Sequence, residues 1–115
     1  MKTQSNLFLL ENELPWESGG KGIRRQIMGY DGQLMLVKVA FETGATGAEH
    51  AHYHSQSTYV AAGIFELNIE GVKKILRKGD GYYIPPDVRH GCRCLEEGLL
   101  IDCFSPLRAD FLNPK

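Results

Sequence analysis

The sequence predicts an all-β fold, a β-sandwich or a small barrel. Its apolar segments are short, bounded by glycine, and rich in β-branched and aromatic residues. Turn residues recur between them at short intervals. No helical periodicity longer than about a turn precedes the C-terminal tail.

Taken in order, the first twenty-two residues are irregular. Trp16, Gly19, Gly20 and Gly22 mark a loop there that lies against the barrel or a partner. Strands are expected over Ile23–Met28 and Gln33–Phe41, joined by the turn Gly29-Tyr30-Asp31-Gly32. Ser57–Ala61, Phe65–Ile69 and Lys73–Arg77 follow, with Glu70-Gly71 as the tight turn of a hairpin. Lys78-Gly79-Asp80-Gly81 turns the chain into Gly81–Ile84. Pro85-Pro86 then ends pairing, because proline fixes φ and lacks a donor. Arg89–Leu95 and Leu99–Phe104 complete the set. A chain of 115 residues is one domain's worth, so residues 1–22 read as an N-terminal arm and 23–115 as a single barrel.

The totals exclude several classes. A formal net charge of −1 gives no pull toward nucleic acid or an anionic membrane. No run of eighteen apolar residues offers a membrane span. The start, MKTQSNLFLLENE, lacks the long apolar stretch and cleavage site of a signal peptide, so a cytoplasmic location is expected. Three cysteines, Cys92, Cys94 and Cys103, are an odd count that argues against a disulfide framework. Cys92-Arg93-Cys94 is spaced more tightly than a structural zinc pair, so free thiols packed as small hydrophobes are the reading.

The chemistry concentrates in HAHYHSQ, residues 50–56, which holds three of the chain's four histidines. Side chains on a strand alternate between faces. If residues 49–60 are extended, His50, His52, His54 and Gln56 share one face, with Cα steps of about 6.5 to 7 Å. Imidazoles at that spacing can converge on one cation, and Gln56 can add an amide oxygen. A solvated polar face is the rival, and three histidines gathered from four make it weak. The fourth, His90, opens a strand just after the Pro-Pro corner and is the expected distant ligand. Cys92 shares that strand's face and stands as a back-up ligand. On the last strand Leu100, Asp102 and Phe104 share a face. An inward Asp there must be paired or ligating. Only one of Arg24 and Arg25 can face inward on a strand, where it could meet a ligand's carboxylate, and a solvated pair is the expectation. Tyr59 and Tyr82 read as packing residues.

These residues resemble the cupin superfamily. Its first motif, G-x5-H-x-H-x3-[E/Q]-x6-G, is matched by Gly44, His50, His52, Gln56 and Gly63. Its second, G-x5-P-x-G-x2-H-x3-N, is matched in spacing by Gly79, Pro85, Asp87, His90 and Cys94, with Asp87 for the motif Gly and Cys94 for the motif Asn. More narrowly, the chain is similar to the KdgF-type pectin-degradation cupins from about Trp16 to Leu112. The marks are GIRR, HAHYHSQSTYV, GIFELNIEG, GDGYYIPP, RHGCRCLEEG and above all the tail IDCFSPLRADFL. Ser55 stands where that family often has Glu, and Ala61 and Ala62 where it often has a larger residue.

The resemblance implies a single-domain cupin, a double-stranded β-helix or jelly-roll barrel. It implies a divalent transition metal held by His50, His52, Gln56 and His90, with nickel or zinc expected and iron or manganese as alternatives. His54 falls outside the motif and is left as a substrate-facing or supporting group, with ligation open. Asp102, Arg108 and Phe104 match catalytic and substrate-shaping positions, against the duller alternative of an Asp102–Arg108 salt bridge pinning the C-terminus. The implied substrate is a small anionic sugar, a 4,5-unsaturated uronate monomer, opened to a linear 4-deoxy-5-keto uronate. Another small-molecule metal cupin, such as a dioxygenase or a sugar isomerase, and a non-catalytic sugar binder are the rivals. A homodimer is expected, with the N-terminal arm contributing.

Overall fold

The computed structural model describes residues 3–112. After a 3-10 turn at Glu11–Glu13 come eight strands: β1 (Glu17–Gly20), β2 (Ile23–Tyr30), β3 (Met35–Phe41), β4 (Thr46–His50), β5 (Ser55–Ile69), β6 (Val72–Arg77), β7 (Gly81–Ile84) and β8 (His90–Ser105). A short helix, α1 (Ala109–Leu112), follows. Among the described residues no helix is long and apolar enough to cross a membrane.

The spine is the antiparallel pair β5 and β8, in register from Ser55 opposite Ser105 to Ile69 opposite His90. The second half of β8 pairs with β3, and the first half with β4. The first half of β5 pairs with β7, and the second half with β6. The two long strands thus pass from one wall to the other, and the walls close a jelly-roll barrel around the core.

The bend has a local cause. Gln56, Thr58 and Val60 point inward, then Phe65 and Leu67 do, so the inward parity switches between them. Register slips against β8 at that place, between Val60 and Phe65. Gly63 sits there at φ 84°, and a Cβ on it would lie 2.5 Å from the Gly98 Cα. Only glycine fits this bulge. The expected strands Ser57–Ala61 and Phe65–Ile69 are thus parts of one strand, β5, and Arg89–Leu95 and Leu99–Phe104 likewise fall along β8. The sequence reading left Glu17–Gly20 and Thr46–His50 without strands, since neither carries an apolar alternation to read. The Glu70-Gly71 turn is as expected, with positive φ at both residues.

The main core cluster joins Ile23, Phe41, Val60, Phe65, Leu67, Cys94 and Leu100, and a second joins Met35, Val37 and Phe104. Phe41 and Phe65 meet edge to face at 5.1 Å.

On the outer side of β2, Gln26 is fully buried beneath the N-terminal segment. Its amide donates to the Glu11 carbonyl at 2.9 Å and the Leu14 carbonyl at 3.1 Å. Gln26→Ala is therefore expected to cost about 1–3 kcal/mol, by removing both hydrogen bonds and emptying a fully buried side-chain position. Thermal unfolding measures that loss. Amide hydrogen exchange should quicken in residues 5–14, and an unchanged exchange rate there would contradict the anchoring role.

Candidate metal centre and adjoining cavity

His50 ends β4 and His90 begins β8, and the ladder places them directly opposite each other. Their rings lie 4.5 Å apart, centroid to centroid. His52 stands on the bend that follows, 5.5 Å from His50 and 4.9 Å from His90. One ring nitrogen of each of the three lies within 4.8 Å of the others. Gln56, at the start of β5, brings its Oε1 to 3.1 Å from His52 Nε2. The single extended strand expected over 49–60 is not what does this. Residues 51–54 turn between β4 and β5, so the histidines converge from a strand end, a bend and a second strand. The Asp87 amide donates to the His52 carbonyl at 2.7 Å, which ties that bend to the corner before β8. Asp87 replaces the motif glycine and holds the left-handed φ of 65°, a conformation Asp tolerates better than most residues.

These donors fit a divalent cation. His50 Nδ1 lies 2.8 Å from the Ala48 carbonyl and His90 Nδ1 2.9 Å from the Val88 carbonyl. A carbonyl only accepts, so each Nδ1 carries the proton and each Nε2 keeps a free lone pair. His52 Nδ1 is buried without a hydrogen-bond partner, a deficit that a buried imidazole seldom carries. Burial, aided by the Arg108 charge, lowers the pKa of His52, and burial lowers that of His90. Both rings are thereby held neutral, the state that ligates. His54 goes elsewhere: its Nε2 meets the Leu107 carbonyl at 3.1 Å and so fastens the C-terminal tail. Cys92 lines the neighbouring cavity but is not part of the imidazole cluster.

That cavity is about 210 Å³. That is the scale of one small ligand. His50, Gln56 and His90 line it together with Asp102, Phe104 and Arg108. Asp102 points inward from β8 and is 9 % exposed. Its Oδ1 accepts from the Thr58 hydroxyl at 2.7 Å, and the Gln56 amide donates to that hydroxyl at 3.0 Å. This chain fixes the Gln56 amide with its nitrogen toward Asp102 and its oxygen toward His52. Burial pushes Asp102 up to about 6, against the opposing pull of the Thr58 hydrogen bond and the Arg108 charge.

Arg108 pairs with Asp110, not Asp102, through Nε at 3.1 Å and Nη2 at 3.0 Å. Its guanidinium lies 5.0 Å from the Phe104 ring and 4.3 Å from the Phe111 ring. Sequence reasoning missed Phe111 as a cavity wall, while Tyr82 packs against the core as expected and also lines the cavity. Tyr83 beside it faces out, an alternation visible in the GYYI strand. It also expected Arg24 and Arg25 to be solvated. Arg24 lies outside over Trp16, whereas Arg25 turns inward over Phe111.

The thiols differ in a way that alkylation reads. Burial pushes Cys92 up to about 12, and Cys94 is buried with its Sγ 3.1 Å from the Glu96 carbonyl. Cys103 is exposed. Iodoacetamide on the folded protein at pH 8 should label Cys103 alone, and the other two only after unfolding. Rapid labelling of Cys92, read by peptide mass, would contradict its raised pKa.

Comparison with known proteins agrees with these features. Residues 37–101 match the cupin domain family. The chain is 50% identical over 107 residues to the pectin degradation protein KdgF of Dickeya dadantii (strain 3937), covering 91% of this chain and 97% of that protein. A crystal structure of an RmlC-like cupin from Shewanella frigidimarina superposes with a TM-score of 0.92 at 46% identity, covering 95% and 98% of the two chains. The structure of KdgF from Halomonas sp. superposes with a TM-score of 0.88 at 39% identity, covering 93% and 99%.

Proposed function

The chain belongs to the cupin family, and from that premise we propose that it is a metal-dependent enzyme of pectin or alginate breakdown, converting 4,5-unsaturated uronate monomers to linear 4-deoxy-5-keto uronates. What carries the reading is one cavity lined by imidazoles, a buried carboxyl of raised pKa and an arginine. The likeness to KdgF proteins supplies the substrate class.

His50, His52, His90 and the Gln56 oxygen would hold the cation, nickel or zinc by expectation. When bound, it supplies Lewis-acid stabilisation for charge developing on substrate oxygen. The rest is the work of side chains. Ring opening removes a proton from the C1 hydroxyl, forms the C1 aldehyde, breaks the bond to the ring oxygen and leaves an enol at C5. Tautomerisation takes the proton from that enol oxygen and adds one at C4, giving the ketone. Atoms and electrons balance, and no oxidant is needed. A carboxyl that titrates near 6 both accepts and returns a proton near neutral pH, which suits Asp102 to carry it. Arg108 would hold the substrate carboxylate in a charge-assisted pair. Phe104, 3 % exposed, would keep water from the enol. The reading extends to a cytoplasmic homodimer. Leu7 and Phe8, each 84 % exposed on the N-terminal segment, support a covered surface there.

The test is direct. Unsaturated uronate made by a polysaccharide lyase is incubated with the purified protein, and loss of the enol absorbance is followed. Decay well above the buffer rate is expected, and decay equal to buffer would refute the enzyme reading.

A further inference from the structure

Two guanidinium groups, not one, border this cavity, and the second, Arg25, has no part in the reading above. It stands on β2 opposite Glu17 of β1 and opposite Val39 of β3. It shares an inward face with Ile23 and Ile27. Its Cζ lies 3.8 Å from the Phe111 ring centroid, and the Arg108 Cζ lies 4.3 Å from the same centroid. The two cations are therefore no farther apart than those two distances together, on a shared aromatic support. Like charges within that distance repel, and each has one carboxylate beside it at the rim, Glu17 for Arg25 and Asp110 for Arg108.

The donor count separates the two. Arg108 commits its Nε and one Nη to Asp110. Among the described residues Arg25 commits only its Nε, to Glu17 Oε1 at 2.7 Å. Of five N–H donors in a guanidinium, the four on the two Nη atoms of Arg25 are left for a ligand. An anion placed against them would relieve the repulsion between the two arginines and complete the donor set in one event.

We propose that Arg25 binds the substrate's carboxylate together with Arg108 and thereby selects uronates over neutral sugars. The proposal rests on the functional reading above for its substrate. The alternative is a structural Arg25 whose only task is to hold β1 through Glu17. A partly exposed ion pair of that kind contributes little stability.

Kinetics and binding distinguish the two roles. Arg25→Gln, Arg25→Lys and Glu17→Gln are assayed beside wild type with the unsaturated uronate. Isothermal titration calorimetry with galacturonate and with galactose accompanies the kinetics. Losing a charge-assisted pair predicts a rise in KM of about 10- to 100-fold for Arg25→Gln. The value of kcat should stay within about threefold, Arg25→Lys should recover part of the loss, and Glu17→Gln should leave KM at or below wild type. Galacturonate binding should weaken by the same factor, with galactose unaffected by the substitution. An unchanged KM in Arg25→Gln overturns the proposal and leaves the enzyme reading standing. So does a KM rise that Glu17→Gln reproduces with the same drop in melting temperature. If wild type turns over no uronate, the enzyme reading fails and calorimetry alone decides. Galacturonate binding lost in Arg25→Gln then supports the proposal, and equal or absent binding overturns it.

Discussion

His50→Ala should leave the purified protein without its metal and without turnover. Residues that merely orient a metal ligand are worth about 10- to 100-fold in metal affinity. Removing an imidazole that itself supplies a lone pair should cost at least about 100-fold. His50 is the sharpest choice because its side chain is exposed, so truncation leaves no buried gap and little stability is lost by that route. His90→Ala, at a buried position, should show the same metal loss with an added cost in stability. Metal content after dialysis is read by elemental mass spectrometry, independently of activity. A cation held by the folded state alone stabilises it by about 2.7 kcal/mol at 100 times its dissociation constant. A chelator should therefore lower the wild-type melting temperature by roughly 10 °C or more for a domain of this size. The same chelator should leave His50→Ala unmoved. Full metal occupancy in both variants would remove the imidazole cluster from the chemistry.

The residues of that cluster were legible in the sequence, but the geometry offered for them was not. A spacing of two suggested one strand face, yet residues 51–54 turn. What gathers the rings is cross-strand pairing of His50 with His90, and pairing partners cannot be read from a single segment. The shared face of Leu100, Asp102 and Phe104 follows from strand alternation alone, and all three are buried. Strand ends were less legible. Gly63 carries the same local signal whether it makes a turn or a bulge, and only the close approach of Gly98 decides which. Arg25 was only half legible. Alternation sets it on the face of Ile23 and Ile27, but what that face meets depends on the return of the tail, which brings Phe111 under its guanidinium. His54 has the parity of a ligand and is instead drawn to the Leu107 carbonyl of that same tail.

Asp102→Asn should lower kcat by about 10²- to 10⁴-fold, the usual worth of a positioned acid or base, with KM little changed. The substitution is nearly isosteric, and the Thr58 hydroxyl can still donate to the remaining carbonyl oxygen. Geometry is thus kept while the titrating proton is lost. The same variant tests the environment of the carboxyl through stability, using metal-free protein so that no bound cation intervenes. Asp102 titrates at about 6 in the folded chain against an ordinary 3.8. A raised folded pKa means that the folded state favours the neutral acid. Its stabilising contribution is therefore complete below the unfolded value and is lost as pH rises through about 6. The asparagine side chain does not titrate. Between pH 4 and pH 7.5 wild type should lose stability relative to Asp102→Asn, by up to roughly 3 kcal/mol at about 1.4 kcal/mol per pKa unit. Any constant cost of the amide shifts the whole curve and leaves this slope intact. Parallel stability curves for the two proteins across that range would place Asp102 in an ordinary aqueous setting and take away its fitness to carry the proton.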